Sequence, residues 1–366
     1  MVEGIYLHIP FCSLKCPYCD FTSITVNNKQ IFTEYVSLVL KELHMYRDLE
    51  FDVKTVYFGG GTPSLLPPEV IAHLIEGIDR IVGINGNAEV TVEVNPENYR
   101  YLQFKQLKQS GVNRISVGVQ SFQLKQLRAL GREHSPEDSL KTVEDAFRAG
   151  IENISIDLIY GIQGQDVESL EKDLKTVENL PVKHLSAYML TAYEETPLGQ
   201  MVKRGEYFLP DDDTVYRMFL LIDSYLNRCG FSRYEISNWA KEGYQCRHNL
   251  LYWKRKEFLG LGVSAWSFAN RKRFGNTKNL HVYMEKVKKG EFPVEFVDLI
   301  DDKEEKKEKI FLGLRLKNGI DIKLVKDKMN FLRNLEREGF IEIKGEKVSL
   351  TPKGIFVSSY ISSQLI

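Results

Sequence analysis

The chain has 366 residues, 43% of them hydrophobic and 27% charged, with 49 basic side chains against 50 acidic ones. At about 100 to 200 residues per domain this is enough for two domains and a large core, and so even a balance excludes a generic polyanion binder, whose affinity rests on excess Lys and Arg. No apolar run approaches the roughly 18 residues of a membrane span, and Glu3, His8 and Pro10 interrupt the start where a secretory leader would be basic and then apolar, so the expectation is a soluble, cytoplasmic protein.

Short β-branched runs alternate with helical segments up to about residue 200. Strands are expected at Gly4 to Ile9, Lys54 to Phe58, Glu89 to Val94, Arg114 to Val119, Asn153 to Leu158 and His184 to Met189. Apolar side chains at helical spacing predict helices over Lys29 to Arg47 and Pro67 to Val82. Ser135 with Pro136 behind it, and Gly150, bracket another. Six βα units with parallel strands follow. Polar or glycine-rich signatures stand at all six strand ends: Cys12 to Cys19, Gly59 to Pro63, Glu93 to Pro96, Gln120-Ser121, Asp157 with Tyr160-Gly161, and Tyr188 to Thr191. A barrel gathers all such ends at one mouth, whereas an open sheet has a single crevice. The expected fold class is therefore α/β, a partial (β/α)6 TIM-like barrel over residues 1–200.

Beyond it, Asp212 to Cys229 reads as a helix and Arg233 to Ile236 as a short strand, followed by an aromatic, polar stretch to Phe274. The run from Asp301 to Lys309 reads as a solvated helix start. A helix at Phe331 to Glu338 and the alternating pair IEIKG and KVSLT complete a module of winged-helix type. The expected division is residues 1–200, an extension over 201–295 and this C-terminal α+β module over 296–366. Such modules often bind DNA, but without a basic surface a partner-contact or packing role is the expectation, with no nucleic acid.

Three of the five cysteines, Cys12, Cys16 and Cys19, lie within eight residues directly after a strand. That argues against a disulfide framework and for metal or redox chemistry. Soft thiolates select zinc, copper or iron-sulfur clusters. A structural zinc site wants four ligands, and here Asp20 and Phe21 follow where a fourth cysteine would stand. A cubane with three cysteines keeps one iron open to a small molecule. Zinc with a distant fourth ligand and buried unligated cysteines are the bland alternatives.

The run YLHIPFCSLKCPYCDF resembles the signature of radical S-adenosylmethionine (SAM) proteins, and more narrowly of those similar to oxygen-independent coproporphyrinogen III oxidase. FGGGTPS, VEVNPE, GVNRISVGVQSF, LGREH, SIDLIYGIQGQ and HLSAYMLTAYEETPL resemble motifs of that group in the same order, over nearly the whole chain. The resemblance implies a 4Fe-4S cluster on Cys12, Cys16 and Cys19, with SAM closing the open iron. It implies that Gly60, Gly61 and Thr62 touch the methionyl part of SAM, and that Glu93, Gln120, Arg132 and Asp157 bind it too. Arg suits its carboxylate and Asp its ribose hydroxyls. Tyr18 and Thr191 carry over on the same basis, and Tyr6 matches a position that serves a second SAM in the oxidase.

Two departures point away from decarboxylation. The oxidase carries a further cysteine after the cluster motif and an N-terminal extension; this chain has CDF and a first strand near residue 4. Both features resemble the heme-chaperone branch of the group, as does His248-Asn249-Leu250-Leu251-Tyr252-Trp253, the HNxxYW motif linked there to heme binding. His248 is the candidate axial ligand, and Tyr252 and Trp253, beside Asn249, offer flat surface to a porphyrin. The resemblance implies a heme chaperone that delivers heme to apoproteins such as respiratory cytochromes, without coproporphyrinogen dehydrogenase activity. It leaves room for a transient membrane-protein contact and a homodimer. The alternative is the oxidase itself.

Overall fold

The structure, a computed structural model, describes residues 1–26 and 30–366. Six strands, β1 (Val2–Ile9), β2 (Phe51–Gly60), β3 (Ile84–Val94), β4 (Arg114–Gln120), β5 (Asn153–Tyr160) and β6 (His184–Met189), lie side by side in chain order. Every neighbouring pair is parallel. Crossover helices Gln30–Met45, Pro68–Val82, Tyr101–Gln109, Pro136–Arg148 and Val167–Glu178 connect them. The first helix is expected from Lys29, which lies outside the described residues; it ends at Met45, and the chain continues in turns. The predicted start at Ser135 is a full capping box: its hydroxyl accepts the Asp138 N–H and the Asp138 carboxylate accepts the Ser135 N–H, each at 3.1 Å.

The strands alternate with period two, and the alternation separates two environments. One face carries Ile5, Leu7, Val56, Phe58, Val92, Ile115, Val117, Ile154, Ile156 and Leu185, all fully buried in the main apolar core. The other carries polar or small residues: Tyr6 stands opposite Tyr57, Thr91 opposite Arg114, Glu93 opposite Ser116, and Asp157 opposite Ser186. The apolar set packs against the helices. The polar set faces the barrel interior and builds the wall of a site.

Among the described residues the sheet does not close on itself. It has twelve strands and runs on at both margins. Beside β6 come Asn238–Ala240 and Ser232–Arg233, both antiparallel. Beside β1 comes Phe258–Leu261, parallel to it, then Trp266–Ala269, Lys272–Asn276 and Val294–Leu299 in antiparallel succession. The fold is thus a partial α/β barrel in which the stretch to Phe274 supplies sheet strands. They escape a pattern search because they are four or five residues long. The expected strand Arg233 to Ile236 is shorter: only Ser232–Arg233 pair in the sheet, and the chain turns where the Glu235 carboxylate accepts the Ser237 N–H at 3.1 Å.

Helix Arg247–Trp253 packs against β1 and β2. Its first N–H groups, from Arg247 and His248, both donate to the Glu89 carboxylate at 3.1 Å. The C-terminal module has its own core, in which Ile310, Val325, Leu332, Val348 and Ile361 are buried. It joins helices Asp302–Gly313 and Met329–Arg337 to a three-stranded sheet of Ile320–Asp321, Lys347–Leu350 and Ile341–Lys344, as the winged-helix reading expects. Among the described residues no helix is long and apolar enough to cross a membrane.

Candidate cofactor site

A cavity of about 430 Å³ opens at the C-terminal ends of β1 to β6 and runs down into the barrel. Of the residues singled out for cluster and SAM, all but Tyr6 line it: Cys12, Cys16, Tyr18, Cys19, Gly60, Gly61, Thr62, Glu93, Gln120, Arg132, Asp157 and Thr191. Of the heme candidates only Asn249 does.

The cysteine loop leaves β1 through a two-residue pairing of Phe11–Cys12 with Ile24–Thr25. Between these anchors the Cys19 N–H donates to the Cys16 carbonyl at 3.1 Å, turning the chain so that all three thiols border the cavity. The glycine strap lies against them. Gly61 and Thr62 donate their N–H groups to the carbonyls of Ile9 and Phe11, both at 2.8 Å. A Cβ on Gly61 would stand 2.8 Å from the Phe11 carbonyl oxygen and 3.0 Å from Cys12 Sγ, and Gly60 holds a φ of +112°. Only glycine fits both demands. Thr62 Oγ1 donates to Cys12 Sγ at 3.6 Å.

Arg132 approaches from the other side, 8% exposed. One Nη donates to Cys16 Sγ at 3.6 Å, the other to Asn95 Oδ1 at 3.0 Å and the Gly118 carbonyl at 3.3 Å. Nε donates to His134 Nδ1 at 3.3 Å. Burial first, and then the Arg132 charge, push His134 down to about 4, so it stays a neutral acceptor. Asn95, which also lines the cavity, belongs to the strand-end signature Glu93 to Pro96 but has no ligand role in the resemblance.

Deeper in, the Tyr57 hydroxyl donates to Glu93 Oε1 at 2.8 Å. Burial pushes Glu93 up to about 7 despite that bond. The Ser116 hydroxyl stands 3.2 Å from both Asp157 oxygens, and burial again raises the carboxyl. Gln120 reaches the wall through backbone distortion: β4 carries a register shift between Val117 and Gln120, and Gln120 holds a φ of +64°. Left-handed backbone in a residue other than glycine stores strain and clusters at functional sites.

Tyr6 and the HNxxYW motif lie beneath or beside this wall. The Tyr6 hydroxyl bonds His8 Nδ1 at 3.2 Å, and its ring stacks near Tyr57 and His248. His248 is 1% exposed, with Nδ1 bonded to Thr55 Oγ1 at 2.7 Å and Nε2 to the Tyr252 hydroxyl at 2.8 Å. Burial first, then Arg114, push it down to about 3. In this arrangement neither ring nitrogen is open to iron. The Trp253 ring lies under the Arg315 guanidinium at 4.3 Å.

Fold and site together are those of a radical SAM protein. Residues 6–177 match the radical SAM superfamily and residues 300–357 the HemN C-terminal domain. The chain is 32% identical to the heme chaperone HemW of Bacillus subtilis (strain 168) over 365 residues, 96% of each protein. It is 36% identical to the heme chaperone HemW of Escherichia coli (strain K12) over 285 residues, 76% of this chain and 74% of that one. The solved coproporphyrinogen III oxidase (HemN) of Escherichia coli, a radical SAM enzyme, superimposes with a TM-score of 0.85 at 21% identity, covering 99% of this chain and 89% of that one, and so shares the fold. The chain belongs to the HemW family.

Radical SAM membership implies a 4Fe-4S cluster and SAM, and the residues present suit both. Among the described residues no three Cys, His, Asp or Glu side chains are gathered around a single-ion position. Cys12, Cys16 and Cys19 all border one cavity, and soft thiolates of this kind suit an iron-sulfur cluster. Burial first, and then Cys16 and Cys12, hold the Cys19 thiol above its ordinary value. Three thiolates placed together call for a cationic centre. A SAM carboxylate would find Arg132 beside Cys16, its sulfonium the acid Glu93, and its ribose hydroxyls the acceptor Asp157.

Proposed function

We propose that this chain is a heme chaperone, which binds heme and passes it to apoproteins, respiratory cytochromes among them, on a scaffold holding a 4Fe-4S cluster and SAM. The observation that carries this reading is the end-to-end match, at 32% identity, to proteins named heme chaperones. The cavity mouth supports it. Phe21 is 59% exposed there, and Leu14, Tyr188, Met189 and Tyr193 are exposed around it on the same rim. Exposed apolar surface of this kind, continuous with a polar interior, suits the flat face and acidic edge of a porphyrin.

When bound, a cluster with SAM supplies one-electron chemistry. The chain's own part is to hold the thiols against the glycine strap, to set Arg132 beside Cys16, and to keep Glu93 and Asp157 in a site walled off from bulk water. On this reading residues 1–200 hold cluster and SAM, residues 201–295 seal the barrel floor with the HNxxYW helix, and residues 296–366 present surface to an acceptor. His248 braces that floor and reaches heme iron only if the Tyr252 bond opens. A cytoplasmic setting, a transient contact with a membrane-borne acceptor and a homodimer fit the same role. The second reading, oxidative decarboxylation of coproporphyrinogen III to protoporphyrinogen IX, draws on the shared fold of the oxidase. Titrating heme into cluster-loaded protein tests the proposal: one heme per chain by its Soret band is expected, and no saturable binding would refute it.

A further inference from the structure

A second hollow, of about 420 Å³, opens on the sheet beyond β1 and has no lining residue in common with the cofactor cavity. Strand pairing fixes which face of the sheet it occupies. Tyr6 lies opposite Gly260 and Phe258 opposite Phe268, so counting by twos puts Trp266 on the face that carries Tyr6, the inner face of the barrel. Trp266, Gly275 and Phe296 stand side by side on three successive strands, and all three line the hollow. Trp266 is 42% exposed and yet held in place. A Cβ on Gly260 would strike the Trp266 carbonyl, and one on Gly275 would stand 3.0 to 3.2 Å from three atoms of the indole ring. Glycine at both positions lets the Trp266 backbone come close and its ring lie on the strand beside it. The Phe296 ring, 47% exposed, meets the indole at a centroid distance of 5.1 Å and an angle of 55°.

Two large aromatic side chains are thus fixed with one side on the protein and the other in water, an arrangement that marks a surface for a ligand. Lys278, on the rim, has no hydrogen-bond or ion-pair partner among the described residues. Glu295, on the same rim, repels a guest carboxylate, which leaves Lys278 as the place for one. The hollow also borders the cluster loop. His8 Nε2 bonds the Thr22 carbonyl at 2.8 Å, and the hydroxyls of Thr22 and Ser264 bond each other at 2.9 Å. Phe21 and Ser23, either side of Thr22, line the cofactor cavity, and Ser264 stands two residues before Trp266. The exposed Phe21 and the exposed Trp266 therefore flank one hydrogen bond, in the two chain segments that it joins. A flat, apolar guest with an acidic edge suits all of these groups together: its face on the indole, its edge against Phe296 and a carboxylate on Lys278.

We infer that the shelf of Trp266 and Phe296 is a docking site for the macrocycle of heme, outside the SAM cavity, with Lys278 taking a propionate. This rests on the heme-carrier reading. It gives heme and SAM separate places in one protein, so that both bind at once, and the open shelf leaves the second porphyrin face in water, as a cargo that must be handed on requires.

The test titrates heme into cluster-loaded wild type with and without saturating SAM, and into Trp266→Ala and Trp266→Phe. Saturating SAM should leave the wild-type affinity for heme unchanged. Trp266→Ala should bind heme at least about tenfold more weakly, and Trp266→Phe, which keeps a flat ring, within about threefold of wild type. Cluster absorbance and SAM affinity should match wild type in both variants, which separates loss of the shelf from loss of the fold. Displacement of heme from wild type by SAM would overturn the inference by placing heme in the cofactor cavity, and needs no variant to fold. Unchanged heme affinity in Trp266→Ala would overturn it too, leaving the shelf to a protein partner; either result keeps the carrier reading intact. No saturable heme binding by wild type would refute the carrier reading and this inference with it.

Discussion

Gly61 is the position where one methyl group separates a cofactor site from a packing fault. In Gly61→Ala the new Cβ would stand 2.8 Å from the Phe11 carbonyl oxygen, 2.9 Å from the Pro10 carbonyl carbon and 3.0 Å from Cys12 Sγ. Two of those atoms are backbone and cannot rotate away, so the strap or the cysteine loop must move. Overpacking of this kind costs about 1 to 3 kcal/mol, a fall in Tm of roughly 1 to 4 °C for a protein of this size. The larger consequence is geometric, because the displaced atoms include a cluster ligand. Iron and sulfide content after anaerobic reconstitution should drop well below wild type, with SAM affinity falling alongside. Gly86→Ala is the control, since nothing lies within 4 Å of a Cβ there. Full cluster occupancy in Gly61→Ala, or an equal loss in Gly86→Ala, would refute the reasoning.

Cys12→Ser, Cys16→Ser and Cys19→Ser should each remove most of the brown cluster absorbance, because every one borders the same cavity wall; retention of colour and iron in any of them would remove it from the ligand set. Glu93 titrates near 7 in the free site because burial raises it. A cationic ligand favours the ionised form and lowers that value, so SAM affinity should rise as pH increases through about 7 and level off above it. Glu93→Gln should flatten this dependence, and a wild-type profile unchanged between pH 6 and 8, on the order of one unit either side of that value, would contradict the assignment. His248→Ala leaves the hydroxyls of Thr55 and Tyr252 without partners, at a cost of about 1 to 3 kcal/mol. It should lower Tm and weaken heme binding, and a variant with both unchanged would deny His248 any role in the floor.

The barrel strands were legible because parallel strands with one polar face write their period into the sequence. RISVGVQ and NISIDLIY put Arg114, Ser116 and Asp157 on the inside and Ile115, Val117, Ile154 and Ile156 on the outside. The cluster loop was legible for a different reason, since its ligands are local and their spacing survives without knowledge of the fold. What sequence could not show depends on distant pairings. Phe258–Leu261 lies parallel to β1 more than two hundred residues away, a neighbour no local pattern specifies. Gln120 looked like an ordinary strand end, and its left-handed backbone appears only once the register shift is seen. Tyr6 and His248 sit in motifs that resemble ligand-binding ones, yet burial and hydrogen bonds to His8, Thr55 and Tyr252 place them under the cavity wall. Asn95 stands inside the strand-end signature Glu93 to Pro96, but its bond to Arg132, 37 residues on, belongs to the packed interior.

The central claim, that this radical SAM scaffold carries heme and does not decarboxylate a porphyrinogen, is tested most directly by one paired measurement on anaerobically reconstituted protein. Heme is titrated in one cuvette; in a second the same preparation receives coproporphyrinogen III, SAM and a reductant, and the tetrapyrroles are separated. The account predicts saturation at one heme per chain and no protoporphyrinogen IX above the level of protein lacking Cys12, Cys16 and Cys19. Many turnovers to protoporphyrinogen IX without saturable heme binding would contradict it.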